Sequence, residues 1–250
     1  MVILAVGSTG ATARNDVAAA QNGKFLVTYV TPKTSDEKIL VNLIKESQLS
    51  QVAAALSKSL KLPANITIAV TRTQAGPYFD PKTNTIDFNL PFAALMFRVI
   101  TSEYPKITPY NFGVAFASLQ YFVLFHEIGH ALIHAWHIPV LGREEDAVDA
   151  FSTIFMVRFV QDGQIALWGA DFFNAVGSGQ KYGAVQFADE HSLSPQRAYS
   201  IACWVYGSDQ KKYAYLAKIL PKERAARCAG EYKQLESAWL QFLKPHVRSS

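Results

Sequence analysis

The 250-residue sequence predicts an α+β fold, a small N-terminal β-sheet packed on a mostly helical body. Three observations predict it. Strand-like runs of β-branched and aromatic residues are confined to the first ninety positions, and from Thr108-Pro109 onward the apolar residues recur at helical spacing. No repeat, low-complexity tract or Pro/Gly/Ser-rich linker interrupts residues 24–245, so that stretch reads as a single domain.

The elements follow in order. Lys24–Val30 (KFLVTYV) has strand composition, and Thr34-Ser35-Asp36-Glu37 has the pattern of a capping box at a helix start. Ile39, Leu40, Leu43, Ile44, Val52, Leu56 and Leu60 then mark an amphipathic helix with a break near Leu49-Ser50. Pro63 ends it, Asn65–Thr71 (NITIAVT) reads as a second strand, and Gly76-Pro77 and Asp80-Pro81 read as turns. Thr85–Leu90 alternates, with Ile86, Phe88 and Leu90 on one face and Thr85, Asp87 and Asn89 on the other. It predicts a half-buried strand stopped by Pro91, and a candidate edge for aligning an extended peptide. Helix starts follow near Pro109, at Gly142-Arg143, and at Ser194-Pro195 with Ser194 as N-cap.

Composition narrows the function classes. Half of the residues are apolar and only 18% are charged, which supports a packed core and excludes a disordered chain. The net charge of +4 is mild and the basic residues are scattered, so no nucleic-acid surface is expected. Phe112–Phe125 is the longest uncharged apolar stretch. It is shorter than the roughly 20 residues of a bilayer span and runs into His126-Glu127, so it predicts a core helix and no transmembrane span. Residues 1–23 read as a signal-peptide remnant or a disordered tail, with Ala11-Thr12-Ala13 matching a small-x-small cleavage pattern but no basic segment ahead of it. Two cysteines, Cys203 and Cys228, suggest one disulfide if the protein is exported, and two reduced core thiols if it is not.

The chemistry concentrates in His126-Glu127-Ile128-Gly129-His130. Four residues advance a helix by about 400°, so the two imidazoles project from nearly one face and can share a metal ion. Glu127 stands about 100° around, beside the ion, where it can accept a proton from an attacking water. The flanks are apolar, so these groups are buried and need partners. A third ligand must come from elsewhere. His134 and His137 read as polar residues of the helix end. Glu145 is the better candidate, because Asp149 one turn later can accept a hydrogen bond from a ligand histidine and fix its orientation. Glu144 is followed four residues on by Val148 and lacks such a partner. The helix dipole accounts for part of this acid cluster. Gly177-Ser178-Gly179 lacks the strand-loop-helix context of a phosphate cradle and reads as a loop.

HEIGH followed by EDAVD resembles the HExxH…ExxxD arrangement of the gluzincins, the thermolysin-like zinc peptidases, with a somewhat shorter spacing. The metzincin continuation is absent, since Ile133 and Trp136 stand where Gly and His are needed. The segments GPYFDPKTNTI, FHEIGHALI, GREEDAVDAF, ADEHSLSPQR and CWVYGSD, which span most of residues 75–210, are similar to a bacterial domain family of unknown function described as metallopeptidases. The resemblance implies a zincin-like helical domain, one zinc ion, a peptide or protein substrate and an exported location. It implies His126, His130 and Glu145 as zinc ligands and Glu127 as general base. It also implies a downstream histidine that stabilises the oxyanion, for which His191 is the candidate, with Tyr206 and Arg197 as weaker ones. The rival reading is a binding protein of the cell envelope that bears zinc without turnover, or carries no metal. A cytosolic regulator with a peptidase-like domain is a third, disfavoured by the two cysteines and the lack of an appended DNA-binding helix pair.

Overall fold

The computed structural model describes residues 22–74 and 76–248, so most of the expected tail or signal remnant at 1–23 lies outside the described residues. Four strands, β1 (Phe25–Tyr29), β2 (Ile66–Thr71), β3 (Tyr78–Asp80) and β4 (Thr85–Asn89), form one mixed sheet. Their order is β1-β2-β4-β3, with β1, β2 and β4 parallel and β3 antiparallel on β4. The crossover from β1 to β2 runs through α1 (Ser35–Glu46) and α2 (Leu49–Ser59), as a parallel pair requires. Gln48 takes a left-handed conformation at φ 60° and makes the break between those helices. Thr34 caps α1 by accepting from the Glu37 amide at 3.1 Å. Glu37 reaches back one residue further than a capping box does, accepting from the Lys33 amide, and also holds Arg72.

β4 departs from expectation twice. It is an interior strand and not an edge, because β3 covers its outer side. Its polar face is buried as well: Asp87 and Asn89 are 4% and 0% exposed. Asp87 is satisfied there by hydroxyls of Thr71 at 2.6 Å and Thr73 at 2.9 Å. Asn89 caps α3 (Leu90–Glu103), whose first turn contains Pro91. The proline that ends the strand therefore also opens a helix, a position where its missing N–H costs nothing. β3, three residues long in a segment that reads as turns, is the sheet edge on that side.

The helical body follows: α4 (Pro109–Trp136), α5 (Glu144–Arg158), α6 (Gly163–Gly177), α7 (Ala184–Phe187), α8 (Ser194–Ser208), α9 (Lys222–Ala225) and α10 (Cys228–Leu243). α8 begins one residue earlier than expected, with Leu193 as N-cap and its amide donating to Gln196 Oε1 at 3.1 Å. α4 is the central element. Its 28 residues are long and apolar enough to cross a membrane, but 72% of its most apolar stretch is buried inside the fold. Thr108 caps it and Pro109 occupies its first turn. Gly129 lets α5 approach: a Cβ there would lie 2.9 Å from Val148 Cβ and 2.8 Å from Val148 Cγ1. Beside that contact Phe125 stacks on Phe155 at 3.9 Å between ring centroids.

A disulfide between Cys203 and Cys228 joins α8 to α10. Residues 246–248 pack against the end of α2 and the end of α4. Val247 bridges Leu60, the Arg248 amide donates to Ser59 O, and His246 stacks on Trp136 at the end of α4. Gly23 bridges Leu62 at the other terminus, so pairing among the described residues runs from 23 to 248.

Candidate metal centre

α4 and α5 cross at Gly129 and Val148, which brings the first turn of α5 over the HExxH turn. His126 and Glu127 are buried at 6% and 5% exposure. The Glu145 carboxylate enters between the imidazoles. Its Oε2 lies 3.0 Å from His126 Nε2 and its Oε1 3.2 Å from His130 Nε2. A third imidazole completes the cluster, His191 Nε2 standing 3.0 Å from the same Oε2. His191 comes from the connection between α7 and α8.

The other ring nitrogens repeat one pattern. His126 Nδ1 is 2.9 Å from Asp149, His130 Nδ1 2.7 Å from Glu144, and His191 Nδ1 2.9 Å from Asp189. Each carboxylate fixes its ring with Nδ1 outward and Nε2 toward Glu145. Asp149 is itself held by Arg197, whose Nε and Nη2 reach its two oxygens at 2.7 and 2.8 Å. Arg197 lies over the Phe173 ring, 3.8 Å from its centroid, and does not line the cleft onto which the histidines open.

The charges respond to this packing. Burial works against a charge on His126, but Asp149 and Glu145 outweigh it and raise its pKa to about 9. His130 is raised too, burial being overcome by Glu145 and Glu144, and His191 is raised chiefly by Glu145. Burial pushes Glu145 up, yet the three imidazoles hold it well below the usual carboxylate range. Asp149 is likewise opposed by burial and lowered to about 2 by Arg197 and His126. Glu127 goes the other way: burial raises it, against the pull of the histidines.

His126, Glu127, His130, Glu144, Glu145 and His191 open onto a cleft of about 740 Å³. One wall is apolar and comes from the sheet edge and α4: Pro77, Tyr78, Phe79, Pro81 and Ile133. The other carries Arg143, Glu144, Glu145, Glu190 and His191. His134 lies on the floor with its ring against Phe79, and His137 is the left-handed C-cap of α4. Tyr206 packs against the core and does not line the cleft.

The donors suit a metal ion. Glu145 Oε2 is buried and makes no hydrogen bond of good geometry, although two imidazole nitrogens stand 3.0 Å away. A buried carboxylate oxygen that lacks a well-formed hydrogen bond, set between imidazole nitrogens, is a position that a cation can fill. A domain-family model described as "Putative metallopeptidase" matches residues 29–243. The chain belongs to that family. Membership and the clustered donors together describe a metal-dependent peptidase acting on peptide substrates, in line with the family resemblance read from the segments between residues 75 and 210. No curated protein and no solved structure gives a significant match to the chain.

Sequence reasoning placed Glu144 outside the site, because it looked only along α5 for a partner. The partner of Glu144 is His130 on α4, across the helix crossing. Asp189 had a local signal, lying two residues before His191, where both its contacts to that residue are made. Arg197 had none, since nothing in its own segment indicates a buried pair 48 residues away.

Proposed function

We propose that the chain is a zinc-dependent peptidase in which His126, His130 and Glu145 hold one zinc ion and Glu127 is the general base. The convergence of imidazole Nε2 atoms on the two oxygens of Glu145 carries this reading. Separations of 3.0 and 3.2 Å are close to the roughly 3.3 Å between neighbouring ligands of a tetrahedral ion with arms near 2.0–2.1 Å. Bound there, zinc would lower the pKa of water toward about 7 and polarise the scissile carbonyl. Glu127 faces the cleft beside the donors, and a raised pKa suits a group that must take a proton and give it back. It removes the proton from the attacking water and returns it to the leaving amine. Asp149 and Glu144 keep His126 and His130 in the ligand tautomer.

The substrate path follows from the sheet. β3 pairs with β4 on one side only, and Tyr78 and Phe79 line the cleft, so an extended peptide can add to β3 as a further strand. The disulfide supports an exported protein, because such bonds persist in oxidising compartments.

The test is zinc content and peptide hydrolysis on the same samples. Glu127→Gln should retain zinc and the fold while losing on the order of 10²–10⁴ in rate. His126→Ala should lose both. Wild-type cleavage by Glu127→Gln rules the mechanism out. A wild-type protein that holds zinc and cleaves nothing in a broad peptide library turns the reading to a zinc-bearing binding protein of the cell envelope.

A further inference from the structure

We propose that His191 is a fourth protein ligand of the zinc ion, one that closes the resting site and must leave before substrate can reach the metal. This rests on the zinc reading of the same centre. The histidine is placed like a ligand. His191 Nε2 and His126 Nε2 are both 3.0 Å from a single atom, Glu145 Oε2. Donor atoms of His126, Glu145 and His191 lie within 4.8 Å of one another.

Its ring is also oriented like a ligand. Asp189 takes the Nδ1 position just as Asp149 does for His126 and Glu144 for His130, which turns Nε2 inward. An imidazolium held the same way would donate to an oxyanion. It is the position shared with His126, 3.0 Å from Glu145 Oε2, that favours a metal.

What separates His191 from the other ligands is its mounting. His126 and His130 sit on α4 with side chains 7% and 15% exposed, whereas His191 is 43% exposed. Its connection is fastened to the first turn of α5 by two outer hydrogen bonds, Arg143 to the His191 carbonyl at 3.1 Å and Ser192 to Asp146 at 2.7 Å. Both can exchange for water without opening the core. Catalytic zinc sites keep one position free of protein, and sites with four protein ligands are closed. With His191 in place the centre is of the closed kind. Lifting residues 189–192 opens it, and a peptide lying along the cleft meets that segment directly because Glu190 and His191 line the wall.

The experiment loads the full chain with cobalt(II) and counts the shifted, exchangeable imidazole N–H signals by proton NMR. Zinc affinity is measured in parallel by competition with a chelator. Wild type should show three imidazole signals and His191→Ala two. The zinc affinity of His191→Ala should fall by more than the roughly 10–100-fold that losing a group outside the ligands costs. His134→Ala, which removes an imidazole from the same cleft, should keep all three. Equal melting temperatures of the metal-free proteins show that the loss is not misfolding. Two signals in wild type, or three in His191→Ala, overturn the proposal. So does a His191→Ala protein with unchanged zinc affinity and a rate lower by about 10² or more, the signature of an oxyanion donor. A wild type with two signals and Glu127-dependent hydrolysis leaves the peptidase reading standing without this one. A wild type that takes up no metal removes both.

Discussion

Asp149 orients His126 on one side and neutralises buried Arg197 on the other, so replacing it separates two effects. Asp149→Asn should weaken zinc binding by about 10–100-fold. It should also destabilise the metal-free fold by about 3–5 kcal/mol, because Arg197 is left buried without its counter-charge. Chelator competition checks the first and urea unfolding of metal-free protein the second. Glu144 is 46% exposed in its side chain, so Glu144→Ala should weaken zinc by about tenfold or less, while Glu145→Ala should abolish tight binding. Zinc retained by Glu145→Ala and lost from Glu144→Ala would reverse their roles. Protons compete with the metal at His126. Its pKa is raised from 6.5 to about 9, so the folded protein holds a proton there that favours the metal-free fold below pH 6.5, an effect lost as pH rises through 9. Zinc affinity should therefore climb with pH, by about tenfold per unit for each proton displaced, and level off above pH 9. A pH-independent affinity between 7 and 9 would contradict this. That His126 and His130 face the same way was legible in the sequence because both histidines lie on one helix. Links between helices, such as Glu144 to His130 and Arg197 to Asp149, were not, because helical periodicity says nothing of which neighbour a face meets.

The α4–α5 crossing turns two separate motifs into one centre, and Gly129 sets its closeness. Gly129→Ala puts a methyl within 3 Å of Val148, a side chain 0% exposed and unable to retreat. The helices must then part by a few tenths of an ångström or more, which should cost about 1–3 kcal/mol and pull Glu145 away from both imidazoles. Lower stability with a matching loss of zinc affinity is the expected result. Lower stability with undiminished affinity would mean that the crossing does not set the ligand geometry. Elsewhere an element was legible where it carried its own periodicity or cap, whatever its length. β1, β2, β4 and the capped start of α4 carry clear periodicity or caps. β3 spans three residues, too few for an alternating pattern, and α3 was hidden because Pro91 reads equally well as the end of a strand.

The whole molecule is closed by contacts between distant parts of the chain, and the disulfide is the strongest of them. Cys203 and Cys228 enclose a separation of 25 residues that contains α9 and brings α10 onto α8. The contact is tight: a Cβ on Gly207 would lie 2.1 Å from the Cys228 carbonyl oxygen, so the two helices touch through backbone. α10 in turn holds α5, Trp239 donating to the Ala147 carbonyl at 3.2 Å one turn past Glu144 and packing on Phe151. A path of direct contacts thus leads from the disulfide to the helix that carries Glu145. In the chain-entropy account a loop of this length is worth about 3 kcal/mol. Reduction should lower the urea midpoint by the corresponding amount, and on the zinc proposal, in which the fold assembles the ligands, added zinc should partly offset the loss. Cys203→Ser paired with Cys228→Ser should behave like the reduced protein. Alkylation of both thiols without prior reduction, in protein recovered from an oxidising compartment, would contradict the bond itself. Unchanged urea midpoints with and without reductant would show that α8 and α10 are held by packing alone, and that the link from the disulfide to the metal centre carries no stability.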